Sequence, residues 1–294
     1  HAKTLGYETA SVRSAKAEVD VILFDSVKTT GTLAAGTVFT SSVDDVDFQF
    51  VTIADYTASN TGSQINFENI PIYEGTFITT RITVDQTDVD QRFVIPDNRA
   101  DTNTLTVKVQ NSASDTTSAT FTKATDITQV SSTSNSYFIQ EVENGKHEVY
   151  FGDGVVGKAL SSGNIVVLTY VVTNGASANT AAVFSNAAAI DTVVSVSVQT
   201  VSEASGGANA ETIASIKFNA PLDYASQGRC VTAEDYKTFV RQYYPNTQAV
   251  SIFGGENGSF DDTVGVVSTP EYGKVFISVK STTGNNLTDA EKTR

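Results

Sequence analysis

The chain has 294 residues, which suits two or three modules rather than one small core. Hydrophobic residues make up 40% and charged residues only 18%; Ser, Thr, Asn and Val fill the difference and favour short strands and turns over long surface helices. With 19 basic and 33 acidic residues the net charge is −14, which argues against nucleic acid and against an anionic membrane surface as partners.

The single cysteine, Cys230, leaves no intrachain disulfide, so core and assembly contacts must hold the fold, as suits a reducing cytoplasm. The longest apolar run, "IVVLTYVV" at 165–172, is far shorter than the roughly 18 residues of a membrane span. No signal peptide is visible. Methionine is absent, and the capping-box spacing of Thr288 and Glu291 announces a helix that the chain leaves within two turns. The sequence therefore reads as a fragment or processed product, with His1 a vector remnant.

Residues 1–18 are polar and Ala-rich, which predicts a short helix. Strands are expected next at 18–25, at 31–41 after a turn, and at 47–56. The period-two segments 75–84, 91–96 and 104–110 read as half-buried strands. The Ser/Thr-rich stretch 111–120 is a loop, and strands follow at 136–142, 146–151 and 164–172. Asn144-Gly145 between two such runs is the strongest hairpin signal in the chain. After about residue 180 the texture changes. A strand is expected at 192–201 and a helix at 209–219, stopped by Pro221. A second helix follows Thr232, with Glu234 and Asp235 in its first turn, where the helix dipole favours acids. Tyr236, Phe239, Val240 and Tyr243 recur at helical spacing on one apolar face, and Pro245 ends the helix. Two strands and a final helix complete the pattern. The expected fold is α+β and mostly β, in modules spanning 1–66 (helix and strands), 67–180 (β-rich, inserted) and 181–294 (α/β).

The stretch "YFGDGVVGKAL" at 150–160 poses the main chemical question. Gly152, Gly154 and Gly157 spell G-x-G-x-x-G, and Gly152 to Lys158 spell G-x-x-x-x-G-K. A phosphate loop needs a helix immediately after its glycines and a Ser or Thr after the Lys. Position 159 is Ala, and the residues that follow read as turn and strand. A dinucleotide site wants an acid about 20 residues on, yet residues 159–190 contain no charge. The residues instead predict a hairpin in which strand 146–151 turns at Gly152, Asp153, Gly154 and Gly157 and returns as strand 164–172.

"VYFGDGVVGKALSSGNIVVLTYVVTNGASAN" resembles the F-G-D-G-x-x-G…Y-x-x-x-x-G-x-x-x-N hallmark of baseplate J-like proteins, wedge subunits of contractile phage tails and related injection machines. "LAAGTVF" at 33–39 resembles their P-A-G-T-x-F turn, with Ala34 in place of proline. "GRCVTAEDY" and the surrounding 206–240 resemble their G-G-x-N-x-E-S…A-P…R-x-V-T-x-x-D-Y segment, and "SIFGGE" resembles V-x-G-G-E. The β-rich stretch 67–150 looks like the insertion of the larger T-even-type wedge subunits of the inner ring, of which this would be a C-terminal part. The resemblance implies a structural subunit in the virion tail baseplate, assembled in the host cytoplasm. It would join wedge neighbours and copies of itself in a ring around the hub, be a dimer in isolation, and rearrange when the tail contracts.

Nothing else in the sequence calls for a cofactor, a metal or catalysis. His147 reads as a strand residue, and no Ser-His-Asp set assembles around it. Cys230 lies just before a helix N-terminus, where a thiolate is favoured, but without a histidine partner it reads as a packed structural thiol. Asp44, Asp45 and Asp47, and Asp85, Asp88 and Asp90, lack EF-hand spacing and read as solvated loop acids. Arg229, Thr232 and Asp235 read as a salt bridge or cap that locks a loop to its helix. Tyr236, Phe239, Tyr243 and Tyr244 are candidate subunit-contact residues. The uncharged stretch 159–190 exceeds what one hairpin needs and predicts shared use, core plus subunit contact. The alternative function is a β-sandwich adhesin, which the absence of Trp disfavours although 11 Tyr could substitute; an NTPase is the third and weakest.

Overall fold

The computed structural model describes residues 7, 9–88, 91–124, 127–226, 229–244, 247–257, 259–261, 265–267, 270 and 272–281. Strands dominate. In chain order they are β1 (Lys16–Phe24), β2 (Thr30–Leu33), β3 (Val38–Val43), β4 (Val46–Val51), β5 (Tyr56–Ser59), β6 (Gln64–Glu74) and β7 (Thr76–Thr83). Then come β8 (Phe93–Val94), β9 (Ala100–Gln110), β10 (Ser118–Lys123), β11 (Ser136–Glu141), β12 (His147–Phe151), β13 (Ile165–Val172), β14 (Ser185–Asn186) and β15 (Val196–Ser205). Helices α1 (Ile213–Ser226) and α2 (Ala233–Tyr243) follow, and then β16 (Thr247–Gly254), β17 (Ser259–Asp261), β18 (Gly265–Val267) and β19 (Val275–Ser281). The α+β, mostly β class is as expected. The chain falls into two compact units, one of residues 11–210 and one combining 1–10 with 211–294.

The larger unit holds two principal sheets. The first has the order β14-β3-β4-β6-β1-β15. Its β1 alternates strictly, with Ala17, Val19, Val21 and Leu23 buried, because successive side chains of a strand point to opposite faces. These pack with Phe39, Phe50, Ile65 and Phe67 into one apolar core, where Phe50 meets Phe184 edge-on at 4.9 Å. The β3–β4 hairpin turns on Asp44 and Asp45, both at positive φ, and pairs Val43 with Val46. These two acids are turn formers. Asp85 likewise accepts from the amide and hydroxyl of Thr87, at 2.9 and 2.7 Å. Asp90 lies outside the described residues.

The second sheet has the order β7-β13-β9-β10-β11-β12-β8. Its core contains Val107, Phe121, Val149, Val166, Leu168 and Tyr170, with Phe151 edge-on to both Phe93 and Phe121 at 5.4 Å. Asn144 and Gly145 turn the β11–β12 hairpin with both φ angles positive, the primed geometry that suits strand twist. β6 passes into β7 through Gly75, whose φ is +127° and where a Cβ would stand 2.2 Å from the Val172 carbonyl oxygen. Beside it, buried Glu74 accepts from the Asn174 amide at 3.0 Å, the Asn174 side chain at 2.8 Å and the Thr173 hydroxyl. Each carboxylate oxygen is thereby occupied, as burial of an acid requires.

Several expectations change. The described residues from 9 to 15 are not helical, and β1 already begins at Lys16. Alternating burial with pairing on both flanks outweighs the helical tendency of the alanines there. The boundary expected between 66 and 67 falls inside β6, and β15, placed by sequence in the C-terminal module, pairs antiparallel with β1. Pro221 does not stop the helix. α1 begins at Ile213, just after Thr212, whose carbonyl accepts from Ile216 at 2.9 Å, and runs on to Ser226 with Pro221 inside it. Proline removes one hydrogen bond, but Ala220 beside it is buried and α1 packs on α2, so tertiary contact carries the helix past the defect. Pro245, His1 and the helix expected around Thr288 and Glu291 lie outside the described residues.

Candidate functional site

The glycine segment is an irregular turn. Gly154 and Gly157 have φ of +88° and +85°, which side chains rarely adopt. Gly152 is required for a different reason. A Cβ there would meet the Val156 carbonyl oxygen at 2.2 Å and the Gly157 carbonyl carbon at 2.3 Å. Asp153 organises the turn by accepting from the amides of Val155 and Val156 at 2.9 and 3.1 Å, and those donors hold its carboxyl below the usual range. Three further amides of the segment are also committed. Gly154 donates to Gly157, Gly157 donates to Ser131 and Lys158 donates to Ser134, at 3.0, 3.1 and 2.9 Å. Residues 158–160 are not helical and lead through a turn into β13. Amides already bonded within the protein cannot cradle a phosphate, so the P-loop reading fails on geometry as well as on sequence.

The hairpin expectation fails too. β12 pairs with β11 and β8, while β13 pairs with β7 and β9. Each strand has only two edges and both are taken, so β12 and β13 cannot join. The glycine turn lifts the chain out of one end of the sheet, anchors it on the 131–134 loop, and returns it with three strands between.

The uncharged stretch serves two cores. Val166, Leu168 and Tyr170 enter the second, and Ala178, Ala181, Phe184 and Ile190 enter the first. That double use explains the depletion of charge over so many residues. Val183 stays exposed, as do Ala187, Ala188 and Ala189.

In the smaller unit Thr232 caps α2. Its Oγ1 accepts from the Asp235 amide at 3.3 Å, and the Asp235 carboxylate accepts from the amides of Thr232 and Val231 at 2.7 and 3.1 Å, a reciprocal capping box. These amides hold the Asp235 carboxyl below its ordinary value, with a smaller contribution from the charge of Arg229. Thr232 and Asp235 thus meet as a cap, and Arg229 acts on that carboxylate through its charge. Cys230 is exposed, which corrects the expectation of a packed thiol. Desolvation, then the neighbouring Asp235 charge, raises its pKa, so the thiol form is favoured there.

On α2, Phe239 stacks on Tyr243 with ring centroids 6.2 Å apart, and Tyr243 is 72% exposed. Tyr236, Phe239 and Tyr244 are half-buried, and the Tyr244 hydroxyl lies 2.9 Å from Ser281 Oγ on β19. α1 and the β16–β19 ribbon add exposed Ile213, Phe218, Tyr224 and Ile277. The Tyr7 hydroxyl donates to Glu211 at 2.8 Å just before α1, and burial together with that carboxylate raises its pKa.

His147 is buried at the start of β12 opposite Glu141, and its carbonyl accepts from Ile95 at 2.8 Å. Among the described residues no group of three or more His, Cys, Asp or Glu converges to hold a metal, and no helix is long and apolar enough to cross a membrane. Sequence reasoning missed a cavity of about 590 Å³ between β7, β13 and the 96–99 loop. Its lining comes from segments far apart in the chain, so no local pattern signals it.

Residues 78–182 match the family described as bacteriophage baseplate wedge protein gp6, third domain, and residues 232–294 match baseplate structural protein gp6, C-terminal domain I. Baseplate wedge protein gp6 of Enterobacteria phage T4 is 26% identical over 317 residues, an alignment covering 98% of this chain and 44% of that protein. The chain therefore spans less than half the length of this relative. A chain of the 6-fold symmetrised cryo-EM structure of the anti-feeding prophage baseplate aligns over 84% of this chain and 46% of its own, at 12% identity and a TM-score of 0.29, too loose a likeness to carry argument. The two matched domain families are both of baseplate protein gp6, they follow one another along the chain, and the gp6 relative aligns across nearly all of it.

Proposed function

We propose that the chain is a structural part of a phage tail baseplate wedge, resident in the virion, that works by rigid modules swivelling on subunit interfaces without bond chemistry. The observation that carries this is the contrast between the two fully packed cores of residues 11–210 and the apolar side chains left exposed between residues 213 and 277. Exposed apolar side chains that gather into one patch mark a partner surface. The glycine turn supports the reading, since the amides of residues 154–158 bond within the fold.

The finer picture rests on the F-G-D-G-x-x-G and R-x-V-T-x-x-D-Y motifs: a baseplate J-like subunit of the inner ring that closes side to side around the hub through heterologous contacts. In it Tyr236, Phe239, Tyr243 and Tyr244 contact a neighbour, and the exposed apolar part of the uncharged stretch does the same. Light scattering after size-exclusion chromatography tests self-association. A dimer at tens of micromolar is expected, and a strict monomer counts against the proposal. Electron microscopy of the chain mixed with wedge partners tests ring contact directly.

A further inference from the structure

The second sheet ends in two unlike edges. β8 is 2 residues long, whereas β7 is 8 residues long with the sequence TFITTRIT. That strand is rich in β-branched residues, has no proline, and carries one charge, Arg81, whose guanidinium is tied to Gln110. On one side all of β7 pairs with β13, from Thr76↔Val172 to Thr83↔Ile165. On the other side no strand pairs with it among the described residues. One side-chain contact reaches that backbone, the Gln91 amide on the Thr83 carbonyl at 2.8 Å. In an antiparallel ladder, alternate residues aim their N–H and C=O away from the partner, so β7 presents a row of backbone groups outward. Proteins normally blunt such an edge with charge, proline, a bulge or a covering segment.

The cavity of about 590 Å³ lies at the Thr76 end of this edge. Thr76, Ile78 and Val172 give it an apolar wall, and Arg99, Lys146 and Asp97 stand on the opposite side. Asp97 pairs with Arg99 at 3.2 Å. Arg99 and Lys146 are the two cations of the lining, with Asp97 in it and buried Glu74 near enough to act on Arg99, on a chain whose net charge is −14. We infer that the β7 edge accepts an extended strand of a neighbouring protein, with an apolar side chain of that strand on Ile78 and Val172 and an acidic one towards Arg99 and Lys146. Backbone pairing supplies affinity, and the cavity fixes register and selects charge. The inference deepens the assembly reading and rests on it for the neighbour's being a baseplate component.

The test uses the full chain and a synthetic peptide of about eight alternating valine and threonine residues ending in two glutamates, beside the same peptide ending in two lysines. Backbone amide exchange is followed residue by residue. Saturation with the acidic peptide slows exchange across Thr76–Ile82 at least tenfold, and the basic peptide binds at least threefold more weakly. Joint replacement R99E and K146E reverses that preference while exchange in the sheet core stays unchanged. The inference is overturned by equal affinity for the two peptides, by no binding up to about 1 mM, or by protection that maps away from β7. Protection of β7 that grows with protein concentration alone also overturns it, because a second copy then occupies the edge. Loss of peptide binding with self-association intact sinks this inference and leaves the assembly reading standing.

Discussion

Residues 11–210 and residues 211–281 differ in whether their largest apolar side chains find a core, although both also expose some, such as Val183 and Val194 in the first. The first region drives Phe39, Phe50, Leu168 and Tyr170 to near-complete burial in two cores. The second leaves Ile213, Phe218, Tyr243 and Ile277 in contact with solvent, and its described buried residues are small or polar, such as Ala220, Thr238 and Ser281. The difference lies in what each element packs against. A strand flanked on both sides within a large sheet must bury one face, whereas the described part of the second region offers only two-stranded ribbons and two helices as packing partners. The first region reads as scaffold, and the second as the half of an interface.

The strongest challenge to that comparison is a pair of truncations. Phe50→Ala removes a ring packed edge-on against Phe184 and is expected to cost about 3–5 kcal/mol in denaturant unfolding. Phe218→Ala on α1 is expected to stay within about 0.5 kcal/mol while weakening self-association in light scattering. Equal costs would erase the distinction. Next in size is the glycine turn. Gly152→Ala forces a Cβ into backbone atoms and should cost about 2–3 kcal/mol. Gly154→Ala meets nothing closer than 3.7 Å and carries only the left-handed backbone penalty, about 1 kcal/mol. A reversed order would show that conformation, and not close approach, shapes the turn.

Within the C-terminal unit Thr232→Ala removes one arm of the capping box and should cost about 1 kcal/mol, seen as faster amide exchange in the first turn of α2 with the scaffold unaffected. The smallest effect is one of pH. Glu148 is held below the ordinary carboxylate range by Arg92 and, more weakly, by Gln140, and Asp235 by the amides it caps. A depressed carboxyl contributes stability that is complete above its unfolded pKa of about 4 and is lost as pH falls through the folded value. Acidification should therefore loosen the β8–β12 pairing and α2 together. Arg92→Met should make the scaffold less sensitive to acid, and an unchanged acid profile would show that the ion pair contributes nothing measurable.

Local signals announced most strands, the Asn144-Gly145 turn, the Thr232 cap and the need for glycine at 152, 154 and 157. Period-two burial, primed turns and caps are properties of a few adjacent residues, so a sequence displays them directly. What failed has one origin. The hairpin predicted between β12 and β13, the stop predicted at Pro221 and the packed thiol predicted at Cys230 were judged from neighbours in sequence, whereas distant partners decide them. β12 and β13 had each filled both edges with other strands. α1 had α2 to hold it past its proline, and Cys230 is exposed.

By itself the amino-acid sequence determined that this protein is built of strands and turns, that its glycine segment is no phosphate cradle, and that a wedge-like order of motifs runs along it. Tertiary structure alone decided the strand order, the two separate cores fed by one uncharged stretch, the edge of β7 that no described strand pairs, and the cavity beside it. The physical reason is that backbone hydrogen bonds between strands are blind to side-chain identity, so which edge meets which is settled by burial summed over the whole sheet.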